Sequence, residues 1–242
     1  SVVVLHVSRG FSNFALATSG LMRESANVLI NPERFDTSSQ GLLPVHLSNF
    51  SYAASKTGFS HFVLHSSNDM YIRSGLADHL KGFDAAVRPM SAAGWTHADT
   101  ALKHEWLQGA ISSLGMPFLA STPEGTCYRL DLMKQMAEYL QITNPYVRPV
   151  TPYPDEETIL PTLASKWAAK STKPITYSEV TMDAKPSPEL IAEIRGGNYH
   201  AAPRTFYRGT DEQVPYDEVF AVKRIARVYD DPLRVFIRSL NP

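Results

Sequence analysis

Two apolar runs near the start constrain the fold more than any other feature. Val2-Val3-Val4-Leu5-His6-Val7 is continuous rather than alternating, the pattern of a strand covered on both faces. Ser8-Arg9-Gly10 ends it, and Phe14, Leu16, Leu21 and Met22 then carry helical spacing to about Ser25. Asn27-Val28-Leu29-Ile30-Asn31 is a second short run, closed by Pro32. A strand–helix–strand unit predicts parallel pairing in a layered α/β fold. In such sheets ligands bind beyond the carboxyl ends of the strands. That places His6, Ser8, Arg9 and Asn31 among the candidate nucleotide contacts, although burial habits make His6 a packed histidine rather than a catalytic one.

Further elements follow in order. Helical spacing covers Leu43 to Lys56, with Leu47, Phe50 and Ala54 on one face. Phe59 to His65 reads as a third strand, and Ser66-Ser67-Asn68-Asp69 lies at its carboxyl end. That tetrad serves equally as a turn or an N-cap run, but its position puts Ser67, Asn68 and Asp69 on the expected ligand edge. Helices are predicted over Gly75 to Leu80, Thr100 to Leu114, Leu132 to Leu140 and Pro188 to Arg195. Trp95, His97 and Asp99 lie in an irregular stretch, and one His-x-Asp pair is too sparse for a metal site. Pro123 to Leu130 is a turn into an extended segment. The loop Gly196-Gly197-Asn198-Tyr199-His200 is read as either a plain surface loop or a closing loop. Tyr216 to Ile225 is expected to be a final strand, and Asp231-Pro232 to start a helix with Leu233, Phe236, Ile237 and Leu240 on its apolar face.

Pro152-Tyr153-Pro154-Asp155-Glu156-Glu157-Thr158-Ile159-Leu160-Pro161-Thr162-Leu163 is a rigid approach, three carboxylates and an apolar run. A helix from Thr158 tolerates Pro161 only within its first turn. The carboxylates serve as helix-start complements or as a general base. The cationic segment Phe220-Ala221-Val222-Lys223-Arg224-Ile225-Ala226-Arg227 lies downstream. Together with Asp69, these are the parts a nucleotide-sugar transferase needs.

The chain has 242 residues and a formal net charge of −1, so no global basic field points to nucleic acid or an anionic membrane. No apolar run is long enough to span a bilayer. A single cysteine, Cys127, rules out an intrachain disulfide and favours a reducing, cytoplasmic setting. No histidine neighbours it in sequence, so it reads as inert packing.

The order of these pieces resembles the core-2/I-branching β-1,6-N-acetylglucosaminyltransferases and the related peptide xylosyltransferases. Asn27 to Asn31 resembles the family's second strand, without the acid usual near its end. Phe59 to Arg73 resembles the strand ending in a polar stretch, an Asp and a Pro-Ile-Arg-like run, with Tyr71 where proline is usual. Glu124 to Leu130 is similar to the acceptor-side strand, and Pro154-Asp155-Glu156-Glu157 with Thr162-Leu163 to the catalytic turn. Phe220 to Arg224 is similar to the diphosphate-binding segment. The acidic turn holds one extra residue: counting back from Thr162-Leu163 gives Glu157 as the base, and counting forward from Pro154 gives Glu156. Glu157 is preferred because the following helix sets its direction.

The resemblance implies one GT-A-like α/β domain over 1–242, with a mainly parallel central sheet flanked by helices. Its nucleotide-binding half would be 1–80 and its acceptor and catalytic half 81–242. It implies an inverting transferase moving GlcNAc or xylose from a UDP-sugar to a hydroxyl of a glycan or glycoprotein, with no metal required. Lys223, Arg224 and Arg227 would face the diphosphate; alternation on a strand favours Lys223 and Arg227. Glu124, Gly125, Thr126 and Tyr128 would lie on the acceptor side. The animal enzymes' cysteine pairs and membrane anchor are missing, as in a soluble bacterial or viral relative. Two rivals remain: an inactive nucleotide- or glycan-binding module, and a metal-dependent GT-A transferase using Asp69 as a ligand. With one cysteine, the melting temperature should be the same with and without dithiothreitol; a marked drop would reveal an intermolecular disulfide.

Overall fold

The computed structural model describes residues 1–13, 26–37, 42–91, 103–143, 155–177, 185–197 and 216–240. In chain order the first half holds β1 (Val3–Leu5), β2 (Val28–Ile30), α1 (Leu42–Lys56), β3 (His61–Val63), β4 (Met70–Tyr71), α2 (Leu76–Leu80), β5 (Ala85–Ala86), β6 (Met90–Ser91), α3 (Glu105–Ser112) and β7 (Leu119–Ala120). The second half holds β8 (Cys127–Arg129), α4 (Leu130–Thr143), a 3-10 turn at Asp155–Glu157, α5 (Ile159–Trp167), β9 (Ser171–Thr172), β10 (Thr176–Tyr177), α6 (Pro188–Gly196), a 3-10 turn at Tyr216–Glu218, β11 (Ala221–Val222) and α7 (Pro232–Ser239). The class is mixed α/β. Two compact units form, Ser1–Phe62 with Pro89–Ser121 and Arg129–Trp167, and Val63–Arg88 with Thr122–Tyr128 and Ala168–Pro242. Neither is one continuous half of the sequence.

In the first unit β1 and β2 pair in parallel, Val3 opposite Val28 and Leu5 opposite Ile30, as the two apolar runs predict. Full burial of β1 is not seen: Val2 and Val3 are 43% and 48% exposed. The described part of this sheet has only these two strands, and a strand is covered on both faces only where layers flank it. The helix expected over 14–25 lies outside the described residues. α1 buries Leu43, Phe50 and Ala53 rather than the stripe through Leu47 and Ala54. Phe50 turns its ring edge-on to Phe59 and Phe62. α4 buries Leu132, Met133, Met136, Ala137 and Leu140, a helical stripe. α5 begins one residue after Thr158 and buries Ile159 through Ala164. Pro161 is its third residue, where the missing N–H breaks no intrahelical bond.

In the second unit β5 pairs antiparallel with β8 and parallel with β9. β11 pairs parallel with β10 and antiparallel with β4. A single mainly parallel sheet is therefore replaced, among the described residues, by four small sheets of mixed direction. The strands are short because turns break them. The expected strand over 216–225 is a 3-10 turn followed by two strand residues. Leu80, Ala86, Cys127, Ile175 and Phe220 form one apolar cluster. Burial pushes the Cys127 thiol well above its usual range, which fits the packing role. Asp231 caps α7, accepting from Arg234 N at 3.0 Å with Pro232 in the first turn, as its sequence predicts.

Gly125 makes the closest approach in this unit. Its φ is +75°, and a β-carbon there would stand 2.3 Å from Thr176 Oγ1 and 2.5 Å from Thr176 N. Its N–H donates to Leu64 O at 2.9 Å and its carbonyl accepts from Ile175 N at 3.0 Å. Gly125→Ala should lower stability by roughly 3 kcal/mol, from left-handed backbone strain plus overpacking. Urea unfolding measures this; a loss under about 1 kcal/mol would mean the two segments part without cost.

Candidate functional site

The residues singled out by sequence fall into clusters that belong to separate units. In the first unit the segment after β1 is held by Arg34, whose guanidinium lies 2.6–3.3 Å from the carbonyls of Val7, Ser8, Arg9 and Phe11. His6 Nε2 accepts from Phe35 N at 2.9 Å, and burial, then the Arg34 charge, lowers its pKa. A ring nitrogen that accepts a main-chain N–H is committed to packing. Ser8 Oγ accepts from Thr37 N, and Arg9 donates to Arg34 O and pairs with Asp36 at 3.7 Å on the surface. Asn31 is 2% exposed; it donates to Ser48 Oγ and Asn49 Oδ1 and accepts from Glu33 N. Its amide ties the end of β2 to α1.

The acidic turn is also in this unit. Asp155 O accepts from Thr158 N, closing the 3-10 turn, and Ser121 N donates to Glu157 O at 2.8 Å. Glu156 is 2% exposed, and its Oε2 is buried with no hydrogen-bond partner among the described residues. Burial, with the Glu157 and Asp155 charges adding to it, pushes its pKa up to about 8. Glu157 is only half-buried. Of the two glutamates that counting from either end of the turn gives as the base, Glu156 is the one removed from water. Pro152, Tyr153 and Pro154 lie outside the described residues, as do Trp95, His97, Asp99, Asn198, Tyr199 and His200.

In the second unit β4 and β11 face each other with Tyr71 opposite Ala221 and Met70 opposite Val222. One step on, Asp69 stands across from Lys223. Alternation then puts Tyr71, Asp69 and Lys223 on the same face of the ladder. Lys223 Nζ pairs with Glu124 Oε1. Burial lowers the Lys223 pKa to about 8; Asp69 opposes this, and Arg224 and Arg227 reinforce it. Lys223 N still donates to Tyr177 O, but Ile225 N donates to Asn68 O. The register has slipped by one, so Arg224 and Ile225 both oppose Asn68. Arg224 takes φ +68°, the only non-glycine residue with positive φ among those described. This is a bulge. It corrects the expectation that Lys223 and Arg227 share a face by alternation, because alternation ends at Arg224.

Asp69 is used by its own loop. Its side chain is fully buried, and Oδ2 accepts from Ser66 N at 2.9 Å and lies 3.2 Å from His65 Nδ1. Ser66 Oγ lies 2.9 Å from Oδ1. Asn68 Oδ1 accepts from Ser66 Oγ, and Ser67 faces solvent. Of the acceptor-side residues, Glu124 faces Lys223, Gly125 makes the close turn, and Thr126 Oγ1 donates to Pro123 O at 2.7 Å. Tyr128 is 1% exposed, so it packs in the core. Reading motifs in sequence missed His65, whose Nε2 lies 2.6 Å from Tyr71 Oη. Its spacing four residues before Asp69 was the available signal.

Among the described residues no three His, Cys, Asp or Glu side chains gather to hold a metal ion, and no helix is long and apolar enough to cross a membrane. Neither the protein-family models nor the curated proteins give a match to this chain.

The altered acidity of Glu156 has a stability consequence. Between pH 4.5 and about 8 the folded protein keeps a proton that the unfolded chain releases, so stability falls as pH rises through that window. Glu156→Gln should remove this slope. Its advantage over wild type should be small near pH 4.5 and reach the order of 4 kcal/mol by pH 8. Parallel urea curves for wild type and variant would show that the carboxyl is ionised and solvated.

Proposed function

We propose that the protein is an inverting, UDP-sugar-dependent glycosyltransferase with a GT-A-like fold; in the first unit Glu156 is the candidate general base, and in the second, taken by itself, Lys223 is the candidate diphosphate contact. The observation that carries the reading is Glu156: a buried carboxyl whose Oε2 has no hydrogen-bond partner among the described residues, raised to a pKa of about 8 by burial. A base near the working pH takes a proton from an acceptor hydroxyl more effectively than an ordinary carboxylate. In the transfer the acceptor oxygen bonds to the anomeric carbon, the bond to the diphosphate oxygen breaks, and the hydroxyl proton passes to the carboxylate. UDP leaves with the electron pair. Its added charge needs fixed positive partners. Lys223, beside Arg224 and Arg227, supports that role in the second unit.

The buried, internally bonded Asp69 supports the reading over the metal-dependent rival, since a metal ligand needs an open carboxylate face. GlcNAc and xylose remain the donor sugars to try first, with glycan or glycoprotein hydroxyls as acceptors.

The test is UDP release from a panel of UDP-sugars with glycan acceptors, in EDTA. Glu156→Gln should slow transfer by about 100-fold or more with UDP affinity unchanged, and Lys223→Ala should weaken UDP binding. Full activity in Glu156→Gln with a dead Glu157→Gln would move the base one residue on. UDP binding without any transfer would leave a binding module.

A further inference from the structure

We propose that Tyr71 is a ligand-facing hydrogen-bond acceptor, held in that role by His65 and Asp69, and that it takes the N–H or O–H donor of a nucleotide whose phosphates sit at Lys223. The inference rests on the reading of Lys223 given above and adds a subsite to it.

The hydrogen-bond chain sets the polarity. Asp69 has a fully buried side chain and can only accept while ionised. His65 Nδ1 is 3.2 Å from it, so a neutral imidazole puts its proton there and leaves Nε2 as the acceptor. Nε2 is 2.6 Å from Tyr71 Oη, so the tyrosine proton is committed to the ring. Burial, followed by the Cys127 and Asp69 charges, raises the pKa of the phenol, which therefore stays protonated. What the oxygen still offers is lone pairs. A ligand reaching it must bring a donor.

The setting points to a ligand rather than to packing. The Tyr71 residue is 38% exposed although burial dominates at its hydroxyl, so part of the side chain meets solvent while the oxygen sits in a recess against His65. The His65 ring stands edge-on at 4.6 Å between centroids and fixes the tyrosine ring. Ala221, directly opposite, contributes only a methyl group. Two residues further along the same face lies Lys223, about 7 Å away at strand spacing. An acceptor beside a cation suits a nucleotide, which carries donors on base and ribose and negative charge on its phosphates.

Titration calorimetry with UDP and with inorganic pyrophosphate separates the two claims. Pyrophosphate offers the charge and lacks the base and ribose donors. Tyr71→Phe keeps the ring and removes the oxygen. It should weaken UDP about tenfold, one hydrogen bond's worth, and change pyrophosphate less than about twofold. Lys223→Ala should weaken both. His65→Leu, which removes the acceptor of the tyrosine proton and the ring that fixes Tyr71, should weaken UDP while sparing pyrophosphate, and serves if Tyr71→Phe folds poorly. Unchanged UDP binding in Tyr71→Phe, or an equal loss for both ligands, would overturn the Tyr71 subsite while leaving Lys223 in place. A wild-type protein that binds neither ligand, or a Lys223→Ala protein that binds both normally, would overturn the diphosphate reading and the subsite with it.

Discussion

Gly125 approaches Thr176 so closely that no β-carbon fits, and the second unit depends on that approach. Through one residue without a side chain, the chain near Leu64 and the chain at Ile175 are joined by main-chain bonds of 2.9 and 3.0 Å. Thr126 then closes its turn on Pro123, and Cys127 and Tyr128 enter β8 fully buried. Glu124, one residue earlier, is left facing Lys223. A packing requirement at a glycine thus decides where a carboxylate meets a lysine.

Burial acts on a charge in each unit, and the partners differ. In the second, Lys223 pairs with Glu124 and feels Asp69, which opposes the burial that lowers its pKa to about 8. A buried charge is tolerated when paired and hydrogen-bonded. In the first, Glu156 lies between two other carboxylates in sequence and its Oε2 has no partner among the described residues. Burial favours the neutral form of each group, which lowers the lysine pKa and raises the carboxyl pKa.

Much of the local structure was legible from residue patterns. The parallel pairing of β1 with β2 follows from two apolar runs separated by a helix-length segment. The starts of α5 and α7 follow from Pro161 and from Asp231-Pro232, because capping chemistry acts within a few residues. The inert character of Cys127 followed from its lack of neighbours. Expectations broke down where a property depends on distant residues. Alternation through Lys223 and Arg227 failed at Arg224, because the bulge opposite Asn68 arises from pairing with a strand about 150 residues earlier. Asp69 read as a strand-end contact for the ligand, but its carboxylate is taken up by Ser66 and His65 of its own loop. His65 and Tyr71 passed as ordinary strand residues until the turn between them brought their side chains together.

The sequence by itself determined the α/β class, several of the described helices, the absence of an intrachain disulfide and the acidic turn as a place of concentrated carboxylate, since all of these rest on composition, periodicity and short-range bonding. Which of Glu156 and Glu157 is withdrawn from water was beyond it. Counting from either end of the turn gave different answers, and adjacent residues on a 3-10 turn point in different directions. Only the tertiary structure buried Glu156 and left Glu157 half-open. The physical reason is that a pKa depends on solvent exclusion and nearby charge in three dimensions, and neither is encoded in the spacing of neighbours along the chain.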